Sequence, residues 1–114
     1  MDLPPAITTY LTAHNTRDVD RAVACYAPDA VVIDDGRGHH GTAEIRAWLA
    51  GAAAEYTYTT ELVSATRLGE DTRLGEERYD VTQRLEGDFP GGVVDLHYRF
   101  TLRGSSIVRL MIEP

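Results

Sequence analysis

A single cysteine, Cys25, leaves no partner for an internal disulfide and too few thiols for a cysteine zinc site. It sits between apolar helix-pattern residues and reads as an inert buried thiol. No cluster of basic residues relieves the net charge of −7. Nucleic acids and anionic membrane surfaces both call for a basic face, so neither is an expected partner. Long apolar runs are missing too. The opening stretch MDLPPAITTY is neither basic nor continuously apolar, so neither a membrane span nor a secretory signal is expected. Repeats, linkers and low-complexity segments are also absent. The expectation is one acidic, cytoplasmic domain over residues 1–114, long enough for a packed core without staples.

The first half of the chain carries helical periodicity. Pro4 and Pro5 precede Ile7, Tyr10, Leu11 and His14, which share one helical face, and Pro5 suits a first-turn position. Val19, Ala22, Val23 and Tyr26 form a second short amphipathic face that should stop near Pro28. A strand over residues 30–35 follows. A third helix should start after Gly41, with Thr42 as N-cap and Ile45, Trp48, Leu49 and Ala52 as its buried stripe.

From Tyr56 onward the pattern is that of strands. YTYTTELVSATRL is rich in Thr, Tyr and Val. Tyr79, Val81, Gln83 and Leu85 alternate along the next run. EGDFPGG is hairpin-turn chemistry, and the absence of a following lysine or helix start argues against a phosphate loop. In VVDLHYRFTL, Val94, Leu96, Tyr98, Phe100 and Leu102 fall on one face, with Asp95, His97, Arg99 and Thr101 on the other. The order ααβαββββ predicts an α+β fold, with three helices on one face of a strongly curved, mainly antiparallel sheet.

Most of the chemistry is concentrated in VVIDDGRGHHG, residues 31–41. An apolar strand runs into Asp34 and Asp35, and glycines follow at 36 and 38. An acid at a strand end is commonly a turn residue. His39 and His40 lack the spacing of a metal pair and read as a solvent loop, with His40 at a pocket rim. No metal or other cofactor is expected.

Four stretches, YLTAHNTRDVDRAVACYAPDAVV, DDGRGHHGTAEIRAWL, GDFPGGVVDLHYRF and IVRLMI, resemble the nuclear-transport-factor-2-like superfamily in its SnoaL-like and ketosteroid-isomerase-like branch. The resemblance spans nearly the whole chain and implies a cone-shaped α+β barrel enclosing an apolar pocket, usually in homodimers. It places Tyr10 on the tyrosine that hydrogen-bonds a developing oxyanion, Asp34 on the proton-shuttling aspartate and Tyr26 on a supporting tyrosine. Asp34 is then the pocket acid and Asp35 the turn acid. Leu96 falls where the isomerases carry a second acid, and Leu49 where some carry a further tyrosine. Asp95, one residue from Leu96, should face the other way.

Each assignment has a plainer counterpart. Tyr10 and His14 could be core residues, or an oxyanion donor and an acid/base group. Trp48, Leu49, Leu96, Tyr98, Phe100, Leu110 and Ile112, with Tyr26, read as pocket wall and core. Desolvation raises the proton affinity of a carboxylate, as a general base near neutral pH requires. Two functions follow from the resemblance. One is a cofactor-independent isomerase, polyketide-cyclase or epoxide-hydrolase type of enzyme acting on an apolar small molecule. The other is a binding or accessory module without turnover. The polar outer row of Asp95, His97, Arg99, Thr101 and Arg109 suggests a homodimer packed through that face.

Overall fold

The computed structural model describes residues 3–114, with the backbone alone over residues 52–55. Helices α1 (Pro5–Asn15) and α2 (Val19–Ala24) lead into strands β1 (Tyr26–Asp34) and β2 (Arg37–His40). Helix α3 (Gly41–Glu55) follows, and then four strands: β3 (Tyr58–Asp71), β4 (Glu76–Gly87), β5 (Val93–Arg103) and β6 (Ser106–Glu113). The fold is the expected α+β arrangement, three helices on a six-stranded sheet of order β2-β1-β6-β5-β4-β3. Among the described residues, only the β1–β6 contact is parallel.

Three local expectations are corrected. Tyr26 is not on the second helix but begins β1. The Asp18 side chain caps α2 by accepting from Arg21 N–H at 3.1 Å. The chain then leaves the helix because the Cys25 carbonyl accepts from Ile107 N–H at 2.9 Å, the first link to β6. Pro28 lies inside β1, where the β1–β6 register is interrupted between Tyr26 and Val31. Proline has no N–H for the ladder, so an interruption is where a strand tolerates it.

Residues 37–40 are a strand rather than a loop. Asp34 pairs with Arg37 across a two-residue turn, Asp35-Gly36, with φ of 53° and 75°. Two consecutive left-handed residues match the right-handed twist of a tight hairpin, and Asp-Gly is a preferred pair for it. The cap of α3 is His40 rather than Thr42. The His40 backbone N–H donates to Glu44 Oε1 at 2.9 Å, so a first-turn side chain reaches back to the cap residue.

Alternation along β4 and β5 is as read from the sequence. Tyr79, Val81, Gln83 and Leu85 are buried, as are Tyr98, Phe100 and Leu102, while Asp95 is exposed. These inward faces meet Ile7 of α1 and Ile45 of α3 in one core. Register breaks at Leu62/Ser64, Arg67/Gly69 and Thr101/Leu102 bend the sheet around the helices. Among the described residues, no helix is long and apolar enough to cross a membrane.

Candidate active site

Curvature leaves a cavity of about 300 Å³ at one end of the sheet, the lower end of the range for small-molecule pockets. Leu85, Val94, Leu96 and Ile112 supply its aliphatic wall. Trp48, Tyr56, Tyr58, Phe89 and Tyr98 supply rings, and Asp34 and His14 are its ionisable groups.

Asp34 reaches the cavity because it is the last residue of β1 and sits opposite inward-facing Ile112 of β6. The turn that follows takes up Asp35, which is exposed. The two adjacent acids therefore separate as expected, one to the cavity and one to the hairpin turn. Trp48 Nε1–H donates to Asp34 Oδ2 at 2.9 Å, so one carboxylate oxygen is held by α3. His39 stacks on the Trp48 indole, with centroids 5.7 Å apart, and so the histidine beside the cavity wall is His39 rather than His40.

His14, in the last turn of α1, meets Tyr58 at the start of β3. Its Nε2 lies 3.2 Å from the Tyr58 hydroxyl. Burial pulls the His14 pKa down to about 4, with nearby Arg17 acting in the same direction, so the ring is neutral at neutral pH. Burial pushes the Tyr58 hydroxyl above its ordinary value, against the opposing pull of Arg17. Arg17 holds the other side of this tyrosine. Its guanidinium carbon sits 5.2 Å from the Tyr58 ring centroid, and it donates to the Tyr56 and Tyr58 carbonyls at 3.3 Å.

Of the residues expected in the site, Asp34, His14, Trp48, Leu96, Tyr98 and Ile112 line this one cavity. Tyr10 does not. It is fully buried behind His14, with ring planes 6° apart and centroids 6.0 Å apart. Tyr26 meets Tyr10 edge-on at 5.2 Å and is likewise core. Phe100 and Leu110 also pack in the core, because the helices cover the sheet at their level. Leu49 is buried too, beside a void of about 10 Å³ that His14 and Tyr58 share. Burial drives the Tyr10, Tyr26 and Tyr98 hydroxyls far above the usual phenol range, so all three stay protonated. Burial likewise raises the Cys25 thiol, whose Sγ lies 3.5 Å from the Arg21 carbonyl.

Tyr56, Tyr58, Leu85 and Phe89 were not anticipated in the wall. The signal for the first two was the period-two spacing in YTYTT, which puts Tyr56 and Tyr58 on one face. Leu96 points in and Asp95 out, where Arg84 clasps it with Nε–H to Oδ1 at 2.9 Å and Nη2–H to Oδ2 at 3.3 Å. That bond from Arg84 lowers the Asp95 pKa. Among the described residues, no three His, Cys, Asp or Glu side chains converge as a metal set.

Comparison with known proteins identifies the family and the fold. A candidate polyketide cyclase from Sinorhizobium meliloti superposes with a TM-score of 0.88 at 34% identity, over 99% of this chain and 97% of that one. A ketosteroid isomerase-like protein from Catenulispora acidiphila, solved with trimethylamine, gives a TM-score of 0.82 at 18% identity, over 99% and 87%. The orange carotenoid protein of Anabaena, solved with canthaxanthin, gives 0.85 at 16% identity over 98% of this chain and 36% of that one. The last two show the fold alone. No protein of curated function matches the sequence. The SnoaL-like domain model matches residues 7–110. The chain belongs to the SnoaL-like domain family, and its fold is that of nuclear-transport-factor-2-like proteins.

Proposed function

We propose that this chain is a cofactor-independent enzyme of the isomerase or polyketide-cyclase type, with Asp34 as general base on an apolar, carbonyl-bearing small molecule. One observation carries the reading: among the described residues, Asp34 is the single carboxylate in a wall otherwise made of rings, aliphatic groups and a neutral histidine. An ionisable group in such surroundings is costly without a use. Trp48 holds Oδ2, which leaves Oδ1 to take a proton from the carbon beside a carbonyl. The electron pair of that C–H bond moves to the carbonyl oxygen as an enolate. Return of the proton to another carbon isomerises the substrate, whereas attack of the enolate carbon on a second carbonyl closes a ring, and the alkoxide formed on that carbonyl takes the proton back from Asp34. The first site residue implied by the resemblance, Tyr10, lies one layer back and supports His14. A water-activating variant of the same carboxylate would open an epoxide.

The test uses 2-tetralone in D₂O, with deuterium uptake beside the ketone followed by proton NMR. Wild type should accelerate exchange, and Asp34→Asn should lose at least about a hundredfold of that acceleration, the lower range for a positioned base. Asp35→Asn should retain it. Exchange no faster than in buffer would overturn the enzymatic reading.

A second reading is favoured by Leu96. It occupies the wall where the resembling isomerases carry a second acid, so the oxyanion would lack that partner. On this reading the domain binds an apolar ligand without turnover. In either case a cytoplasmic homodimer packed through the outer sheet face is the proposed assembly. The support is the half-buried polar row of His97, Arg99 and Thr101 on an open face. Sedimentation should give a dimer at micromolar concentration, and a monomer there would defeat the proposal.

A further inference from the structure

The unpartnered nitrogen of His14 says which tyrosine can serve a ligand. His14 Nε2 is 3.2 Å from the Tyr58 hydroxyl, while Nδ1 is buried with no hydrogen-bond partner. A neutral imidazole carries one N–H. If the proton sat on Nδ1, a donor would be stranded in apolar surroundings. If it sits on Nε2, only a lone pair goes unused. Orphaned buried N–H groups are the rarer and costlier case. The structure therefore favours the Nε2–H form, which donates to Tyr58 Oη. Tyr58's own hydroxyl proton is then free for a third atom, and Tyr58 lines the cavity together with Asp34.

We propose that Tyr58 is the hydrogen-bond donor of this site, positioned by the Nε2–H of His14, and that it, rather than Tyr10, receives the carbonyl or enolate oxygen of the ligand. The proposal deepens the Asp34 reading and rests on it for the identity of the reacting group. Tyr10 is fully buried, lies outside the cavity wall, and has His14 stacked on its ring. Tyr58 is held from its other face by Arg17, which also clamps the backbone on both sides of Thr57. The ring thus has little freedom to leave the cavity. Both partners are neutral at neutral pH, so the phenol can donate without first losing or exchanging a proton.

Two measurements test this, and neither involves proton transfer from carbon, so they fail or succeed separately from the Asp34→Asn exchange experiment. The first is the ¹⁵N spectrum of His14 in the wild-type protein. A neutral Nε2–H ring is expected at pH 7, with the Nε2 resonance moving in Tyr58→Phe. An Nδ1–H ring would overturn the proposal. The second is binding of 2-naphthol, a stand-in for the enolate, followed by its fluorescence. Tyr58→Phe should weaken binding by about tenfold, the scale of one hydrogen bond to a polar oxygen. His14→Phe should weaken it less, and Tyr10→Phe least. A larger loss in Tyr10→Phe than in Tyr58→Phe, or no binding by the wild type, would overturn the assignment of Tyr58.

Discussion

The two faces of the sheet treat polar atoms in opposite ways. On the outer face, polar groups have partners: Asp80 takes His97 and Arg99, Arg99 also takes Glu113, and Arg84 clasps Asp95. On the inner side, among the described residues, His14 Nδ1 is buried with no hydrogen-bond partner, and the Tyr10 and Tyr26 hydroxyls and Gln83 have at most one another or Tyr98. The outer face is polar but satisfied, and each of its part-exposed pairs adds little. The inner face is apolar, and each orphaned group costs stability.

The comparison breaks most severely at Phe100, the inward residue of β5 that touches the Tyr10 and Tyr98 rings. Phe100→Ala should lose about 3–5 kcal/mol in urea unfolding, the usual range for a buried phenylalanine. A loss under 1 kcal/mol would mean the inner face is loosely packed.

His14 sharpens the contrast through pH. Its folded-state pKa, about 4, lies below the ordinary 6.5. The unfolded chain therefore binds the proton first. Stability associated with the neutral ring is complete above pH 6.5 and declines as pH falls from there through 4. The full difference is on the order of 3 kcal/mol for a shift of this size. His14→Gln should flatten the stability-versus-pH curve across that window relative to wild type. Parallel curves for the two proteins would remove the titration from the account.

Gly87 tests the sheet where its backbone comes closest to the site. It pairs with Tyr58, and a Cβ there would lie 2.4 Å from the Thr57 carbonyl. Gly87→Ala must push the Thr57–Tyr58 backbone aside, and should cost about 1–3 kcal/mol. It should also move Tyr58 resonances, and unchanged Tyr58 signals would show that the strand absorbs the methyl elsewhere.

The smallest effect belongs to the outer face. Asp95→Ala removes an exposed pair with Arg84 and should leave the thermal midpoint unchanged within error, at low and high salt alike. A clear drop would mean that this pair lies inside the proposed dimer contact rather than at its rim.

The inner and outer rows of β5 were legible because period-two alternation is a local property, and Leu96 and Asp95 fell on the predicted sides. Asp34 and Asp35 separated as read, since Asp-Gly turn chemistry is also local. Tyr26 was misread as helical because Val19, Ala22 and Val23 share its face at helical spacing. What ends that helix is a bond to Ile107, which no nearby residue announces. The pairing of His14 with Tyr58 joins residues 44 positions apart and depends on how β3 approaches the end of α1. Sequence periodicity places each on its own element and is silent on their meeting.

The last strand of the sheet has a consequence for the protein in concentrated solution. β3 is long, has one unpaired side, and leaves Leu62, Val63 and Leu68 about half exposed. Such an edge is a template on which another molecule's strand could grow. Two register breaks, at Leu62/Ser64 and Arg67/Gly69, bend it out of the straight row that an incoming strand would need. Glu61, Glu70 and Asp71 along it repel a second acidic copy. The bulges that curve the sheet around its helices therefore also protect the protein against fibrous association. Straightening them would trade colloidal stability for a flatter wall.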